Sequence, residues 1–546
     1  MLYFSFIKKG AGLTALLLFI LMASEVRGQD VKVDGSLKIN NDFYNASGIE
    51  NRRESFTSRG ILRLNLTLFD QINLPFEFML STQDSEFRQP FNQFGVSPQI
   101  SDWLTLHGGY FNTEISQLTY GDTRLLGGGF ELTPGDFQLK VLYGRSKKQT
   151  TPDSSFGRLG VRSQYMYSAS IGYGDQEASF ISLNLLHAVD DTNSIENDSL
   201  YFKPEENLTA SISFGIKPSD VINFNAEVAV SALSNDINSD KLDDAPNIPS
   251  FFFTPRTSTQ IDGAVIANLN IKPSNTWDFR INSKWIGPGF VSLGYAQLAN
   301  DVFEITGQPT VKLLDNRLRL RGKAGIRFNN LRDQKLATTN RFTGGLNVDW
   351  QINQVFGFNT QFNNNQIVSK HDRDSIRSNY RLNNLVISPR FSFTWLEAQN
   401  NINISYNYTN SQNENPLQQN NNKNITNSIN LTHSIFLPSQ WNFSTNFFYS
   451  NADLSQSVTD IYNISETVGK SFLQSKLRLS VTLGYSSTSV QDISNDRLLT
   501  RFRASYNTGS YGQIVFNFSN NNFTNDQLNS PDYNELQASL DYKINF

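Results

Sequence analysis

Cysteine is absent from the 546 residues, and histidine and methionine occur only four times each. Missing thiols exclude disulfides, thiolate metal sites, a thiol nucleophile and a lipid-bearing cysteine. A strong charge of one sign is also missing. The formal net charge is −4 without a long basic run, so nucleic acid is not an expected partner. Beyond residue 23 no apolar run approaches the roughly 20 residues that a membrane helix needs. Any membrane insertion must therefore use strands.

What is present begins with an export signal. Lys8 and Lys9 precede a 13-residue apolar core, Ala11 to Ala23, and Val26-Arg27-Gly28 places compact residues at −3 and −1 before Gln29. We expect residues 1–28 to be a cleaved signal peptide and residues 29–546 to form the exported barrel. A membrane-anchoring helix is disfavoured because the core is too short to span.

From Val33 onward, strands with a period of two recur. Leu62, Leu64, Leu66 and Leu68 alternate with Arg63, Asn65 and Thr67; Trp441, Phe443, Thr445, Phe447 and Tyr449 alternate with Asn442, Ser444 and Asn446. Asn, Ser, Gln and Thr dominate the polar face. A single strand of this kind suits a soluble sandwich equally well. Many of them, with aromatics at strand ends and no helical segment, favour a membrane barrel.

The connections sharpen that reading. Twelve short turns, from Asp70–Asn73 to Thr508–Ser510, alternate with longer segments such as 147–162, 191–207, 234–258 and 365–381. Barrels alternate short periplasmic turns with long external loops in this way. With both termini in the periplasm, twelve turns give about 26 strands. The count falls to about 24 if the poorly alternating Phe87 to Ile100, which holds two prolines, is a loop. The expected fold is all-β: one antiparallel up-and-down transmembrane barrel, too wide for side chains to fill.

The last eleven residues, Leu536 to Phe546, put Leu536, Ala538, Leu540, Tyr542, Ile544 and Phe546 on one face. Ending on an aromatic at the close of such a strand resembles the bacterial outer-membrane barrel proteins. The resemblance implies an outer-membrane location among its lipids, and a role for Tyr542, Ile544 and Phe546 as the signal read by the barrel-assembly machinery. The turn count makes this the final strand as well, expected to close the wall against one near Ser36 to Phe43. Phe94 to Pro98, Trp103 to Leu106, Gly127 to Leu132 with Pro134-Gly135, and Tyr143 to Arg145 resemble a pattern of Bacteroidota barrels, some related to secretion machinery. Asp198-Ser199-Leu200 and Asp374-Ser375-Ile376 resemble the Bacteroidota O-glycosylation motif, which makes Ser199 and Ser375 candidate acceptors.

Three features are candidates for function. Arg317, Arg319, Arg321, Lys323 and Arg327 share one face of a strand. In lipid each central base costs about 2–4 kcal/mol, so the ladder is expected to face the lumen. There it is either a solvated wall neutralised by Glu304 and Asp349 or an anion-attracting stripe. The loop from Ser234 to Ser258 holds Asp236, Asp240, Asp243 and Asp244, without the glycine-containing pattern of a calcium loop, and then Phe251, Phe252 and Phe253 between prolines. Three adjacent phenylalanines call for a partner, in the lumen as a constriction or outside as a contact with protein or lipid headgroups. His107, His187, His371 and His433 are scattered, and only His371 has carboxylates near in sequence, Asp372 and Asp374. No nucleophile elbow or metal-ligand spacing accompanies them, so neither an enzyme, a metal nor another cofactor is expected.

Two readings follow. One is a porin-like conduit passing solutes through a polar lumen. The other is a non-catalytic barrel subunit of an outer-membrane export, assembly or uptake complex, with other outer-membrane or periplasmic proteins as partners.

Overall fold

The computed structural model describes residues 31–68, 72–82, 95–150, 160–175, 177–195, 203–242, 249, 252–371, 377–415, 422–455, 457–491, 493–526 and 531–546. The segment 1–28, Phe251, Ser199 and Ser375 lie outside the described residues.

One sheet of 27 strands makes the wall. The first group is β1 (Val31–Ser47), β2 (Phe56–Leu68), β3 (Ile72–Ser81), β4 (Gly95–Val96), β5 (Gln99–Ser101), β6 (Leu104–Phe111), β7 (Leu125–Leu132), β8 (Phe137–Lys147) and β9 (Gln164–Gly174). Next come β10 (Phe180–Asp190), β11 (Glu206–Ser219), β12 (Ile222–Ser234), β13 (Thr259–Ile271), β14 (Trp277–Ile286), β15 (Val302–Leu313), β16 (Leu318–Asn329), β17 (Ala337–Gln351) and β18 (Phe356–His371). The last are β19 (Ser378–Trp395), β20 (Ala398–Glu414), β21 (Asn422–Phe436), β22 (Trp441–Leu454), β23 (Ser457–Phe472), β24 (Leu477–Val490), β25 (Ile493–Asn507), β26 (Gln513–Asn525) and β27 (Tyr533–Asn545).

Neighbouring strands pair antiparallel, in chain order, throughout. The irregular place is where β4 and β5 together fill one position between β3 and β6, through only a few backbone pairs. The wall therefore has 26 antiparallel staves, the upper of the two expected numbers. Of the segment in doubt the described part, 95–100, is a broken stave, because Pro98 withdraws an amide donor that a full strand needs. The 365–381 connection is shorter than the sequence suggested, since β18 continues to His371 and β19 resumes at Ser378.

The sheet meets itself. β1 and β27 pair from Ser36↔Asn545 to Ser47↔Asn534, and Gly35 and Phe546 exchange two backbone hydrogen bonds of 2.7 and 3.0 Å. A Cβ on Gly35 would lie 2.9 Å from the Phe546 ring, so glycine makes room for the terminal aromatic. Closure pairs the two edges that would otherwise leave polar backbone groups bare in lipid.

Pleating sends alternate residues to opposite faces. One face exposes large apolar side chains right round the wall, among them Leu183, Ile212, Val230, Ile261, Leu346, Ile464, Leu483 and Leu540. Exposed apolar surface on that scale belongs in lipid. Stacked aromatics mark its short-turn edge, as in Trp277–Phe279 and Trp441–Phe443. No helix among the described residues is long and apolar enough to cross a membrane; the strands do so.

Candidate functional site in the lumen

The interior is narrowed by two loops from distant parts of the chain. Residues 112–124 join β6 to β7, and residues 287–301 join β14 to β15. They touch one another although β7 to β14 separate them along the wall, so their meeting lies inside it. Tyr120 forms a parallel bridge with Gly294, the Gly121 amide donates to the Gly294 carbonyl at 3.3 Å, and the Ala296 amide donates to Asp122 Oδ1 at 2.7 Å. The Ser292 hydroxyl donates to the Thr119 carbonyl, and the Tyr295 hydroxyl to that of Ser116. Burial in this junction pushes the Tyr120 and Tyr295 hydroxyls well above the ordinary phenolic pKa, with nearby carboxylates adding to the rise.

Both loops lean on inward wall residues. Phe111, Tyr120, Leu125, Leu142, Met166 and Leu186 form one buried cluster; Leu118, Ala229, Ala264, Ile286, Phe290 and Val302 form the other. Polar wall positions serve the loop backbones, as a buried peptide group requires. Asn207 donates to the Val291 carbonyl at 3.0 Å and accepts from the Leu293 amide at 3.0 Å, while Glu227 accepts from the Gln117 amide at 3.0 Å. The sequence reading missed this device. Its signal was there: apolar Ile115, Leu118, Phe290 and Leu293 occur in connections that are otherwise polar or rich in glycine.

A neighbouring connection latches the second loop. Asp262 accepts from the Gly289 amide at 2.8 Å and pairs with Arg332 at 2.8 Å; Asp301 accepts from Asn330 and Leu331 amides and pairs with Lys335 at 2.5 Å. The Asp301 side chain is only 1% exposed. Burial alone would raise its pKa; the Lys335 ammonium and the two amides outweigh burial and hold it below the ordinary value. A depressed carboxyl stabilises the latch above the ordinary aspartate pKa of about 3.9, and that contribution is lost as pH falls through the depressed value. Single-channel recordings should be steady near neutrality and become noisier only once the pH has fallen below the ordinary aspartate pKa of about 3.9. Asp301→Asn should bring the same noise at neutral pH; recordings equally quiet for both proteins at both pH values would exclude the latch.

Along the wall from the second loop, next to β15, the basic residues hold the inward face of β16. Arg319, Arg321, Lys323 and Arg327 alternate with outward Leu318, Leu320, Gly322, Ala324 and Ile326. Arg317 is the exception to the expected ladder: it sits in the turn before the strand, where its Nε donates to the Leu314 carbonyl. The two expected neutralising partners behave differently. Glu304 lies opposite Arg327 and pairs with it at 3.8 Å; Asp349 lies opposite Arg319 but pairs with Arg390 at 3.3 Å. Arg319, Arg321 and Lys323 have no carboxylate partner among the described residues. Arg341, opposite Arg327, adds a further positive charge. Sequence reasoning overlooked a second such row, Arg497, Arg501 and Arg503 on the inward face of β25. Arg497 and Arg501 border a groove of about 410 Å³ whose other walls are largely serine, threonine and asparagine. The period-two signal that revealed the first row was equally present in RLLTRFR.

The aromatic loop is divided. Phe253 is fully buried and Phe252 about one-third exposed, at 38%. The loop is tied to the preceding external connection by the Ile237 amide, which donates to the Pro204 carbonyl at 3.0 Å, and by the Lys203–Asp236 pair at 3.0 Å. Lys203 bonds to Asp236 and, despite partial burial, holds its carboxyl below the ordinary range. Phe253 belongs to neither buried cluster beneath the lumen loops.

Two histidines gain carboxylate neighbours that sequence distance concealed. His187 lies 3.0 Å from Glu206 across β10 and β11. His107 lies 2.9 Å from Glu131 through Nε2 and 2.9 Å from the Ser97 hydroxyl through Nδ1. A serine-hydrolase triad uses the two ring nitrogens the other way round. Glu131 also binds Thr113 and Lys140, at 2.7 and 3.0 Å. The network pins the short β4–β5 stave to β6 and β7. No group of three or more metal-binding side chains is found among the described residues.

No family profile matches the chain, and no curated protein matches its sequence. Among solved structures it is similar to Pseudomonas aeruginosa OccK2 (OpdF) in complex with glucuronate, at a TM-score of 0.31 and 7% identity, over 94% of this chain and 98% of that one. Acinetobacter baumannii OccAB3 aligns at a TM-score of 0.30 and 11% identity, over 63% and 93%. A BenF-like porin from Pseudomonas fluorescens Pf-5 aligns at 0.29 and 11%, over 69% and 99%.

Proposed function

We propose that the protein is a porin-like conduit of the outer membrane that passes small anionic solutes through a lumen narrowed by loops 112–124 and 287–301. A closed wall with an apolar outer face supports insertion in a membrane, since a sheet can span only when closure leaves it no edge. The terminal strand, the expected signal segment and the short-turn, long-loop alternation support the outer membrane. The Phe94 to Arg145 segment and the motifs at Ser199 and Ser375 support kinship with Bacteroidota barrels. The interior is a polar surface with bases in rows, suited to guiding solutes.

The anionic preference rests on the inward face of β16. Among the described residues its central bases lack carboxylate partners, and rows of Arg and Lys favour anions in pores. Replacing Arg319, Arg321 and Lys323 together by glutamine tests it. In a salt gradient across a planar bilayer, the anion-to-cation permeability ratio should fall at least about twofold. An unchanged reversal potential would refute the anionic preference while leaving the conduit intact; absence of conductance in the parent protein would refute the conduit.

A further inference from the structure

The lipid-facing side of β21 to β23 carries a row of polar groups, two of them ionisable, between the two aromatic edges of the apolar band. His433, Thr445 and Glu466 are register partners on three consecutive strands. On the short-turn side the next outward positions are Ile435, Phe443 and Val468, followed by Trp441 and Lys470. On the long-loop side they are Leu431, Phe447 and Ile464, followed by the tilted rings of Tyr449 and Tyr462, 4.8 Å apart. Phe447, Ile464 and Leu483 around them are 37%, 51% and 56% exposed. Glu466 thus sits between the aromatic edges of the apolar band, whereas Asp460 lies beyond the tyrosine pair. The Thr445 hydroxyl donates to Glu466, and His433 Nε2 lies 3.1 Å from Asn400 Oδ1.

Ionisable side chains at such depth are costly and call for a partner. Headgroups stay at the two interfaces, and acyl chains offer no hydrogen-bond donor or acceptor. Among the described residues Glu466 meets only the Thr445 hydroxyl and His433 only Asn400, both uncharged, so a charge-complementary partner at this depth comes from a protein within the membrane. The row itself supplies the complement. A two-fold axis along the membrane normal, passing near Thr445, brings β21 of one copy opposite β23 of the other, so each His433 faces the other copy's Glu466. An isologous contact of this kind needs a self-complementary patch. Strand tilt offsets the two residues in height by about 6 Å, a gap that two extended side chains span. We infer that the outer face of β21 to β23 is a dimer interface between two copies of this chain, closed by reciprocal His433–Glu466 pairs. The inference stands apart from any reading of the lumen.

The absence of cysteine makes a direct test possible. A single cysteine at Phe447, near the proposed axis, should form disulfide-linked dimers on oxidation in native outer membranes. A cysteine at Ile281 on β14, outward and 39% exposed, is the control and should not. His433→Glu in the Phe447→Cys background should lower crosslinking at least tenfold, and adding Glu466→His should restore it with the charges exchanged. Recovery in the exchanged protein also shows that the single variant's loss is not misfolding. Equal crosslinking at Phe447 and Ile281, no dimer at Phe447, a crosslink there to a different protein, or no recovery on exchange would overturn the interface.

Discussion

Replacing Gly294 with valine should raise single-channel conductance at least about twofold, since flow through a water-filled pore follows its narrowest section. A Cβ at this position would lie 2.2 Å from the Thr119 carbonyl oxygen and 3.0 Å from a Leu186 methyl group. Neither carbonyl nor wall can retreat that far, so the bridge from Tyr120 to Gly294 must break. Gly121 faces a similar constraint from the Tyr295 hydroxyl, at 2.2 Å. Once apart, the loops lose the Ser292 and Tyr295 hydrogen bonds and swing away from the lumen axis. The substitution lies outside every strand and meets the wall only at the tip of Leu186, so membrane levels should match the parent. An unchanged conductance, with normal assembly, would mean that these loops do not set the narrowest section.

Opening the seam should have the larger effect on the amount of protein. Tyr542 and Ile544 lie opposite Ile39 and Leu37 on β1, and the Tyr542 hydroxyl reaches the Tyr511 carbonyl at 2.8 Å. Two aspartates there would bring charge to the lipid face, at no more than about 1 kcal/mol each near the band's edge. They would also remove the apolar contact that holds the last strand in register. Deleting Phe546 removes both bonds to Gly35 and the ring it accommodates. Either change should reduce the folded, membrane-extracted protein at least about tenfold, a loss that a shift of roughly 1.4 kcal/mol suffices to produce. Quantitative blotting of membranes, with unheated electrophoresis to distinguish closed from open barrels, reads the result. Normal amounts of closed protein would remove the terminal strand from assembly.

Much of the wall was legible because its rule is local. Leu62 to Leu68, Ile402 to Tyr408 and Trp441 to Tyr449 show their faces by period two, and turn residues show where each strand stops. The partner of the last strand was legible too, since a closed wall has only one free edge to offer. What lies inside followed a different rule. Tyr120 and Gly294 meet only after the wall has curved, and no local pattern encodes contact across a lumen. The histidines misled for the same reason: His107 and Glu131 are neighbours through register, 24 positions apart in the chain. Arg317 fitted the alternation of bases but falls in the tight turn after Leu313, where the backbone of Leu314 to Asn316 is left-handed and the strand has not begun. Glu466 was hidden by its strand's composition, because one carboxylate among asparagines and serines reveals its face only when the register is known.

The junction of the two lumen loops also sets an order of events during biogenesis. One loop is complete after β7, but its counterpart is not made until β15, and neither can reach the other while the intervening strands lie in an open, flat sheet. Every residue between Tyr120 and Gly294 must first be part of a curved arc. The growing barrel therefore keeps an unobstructed interior early in assembly and acquires its obstruction as a late product of its own curvature.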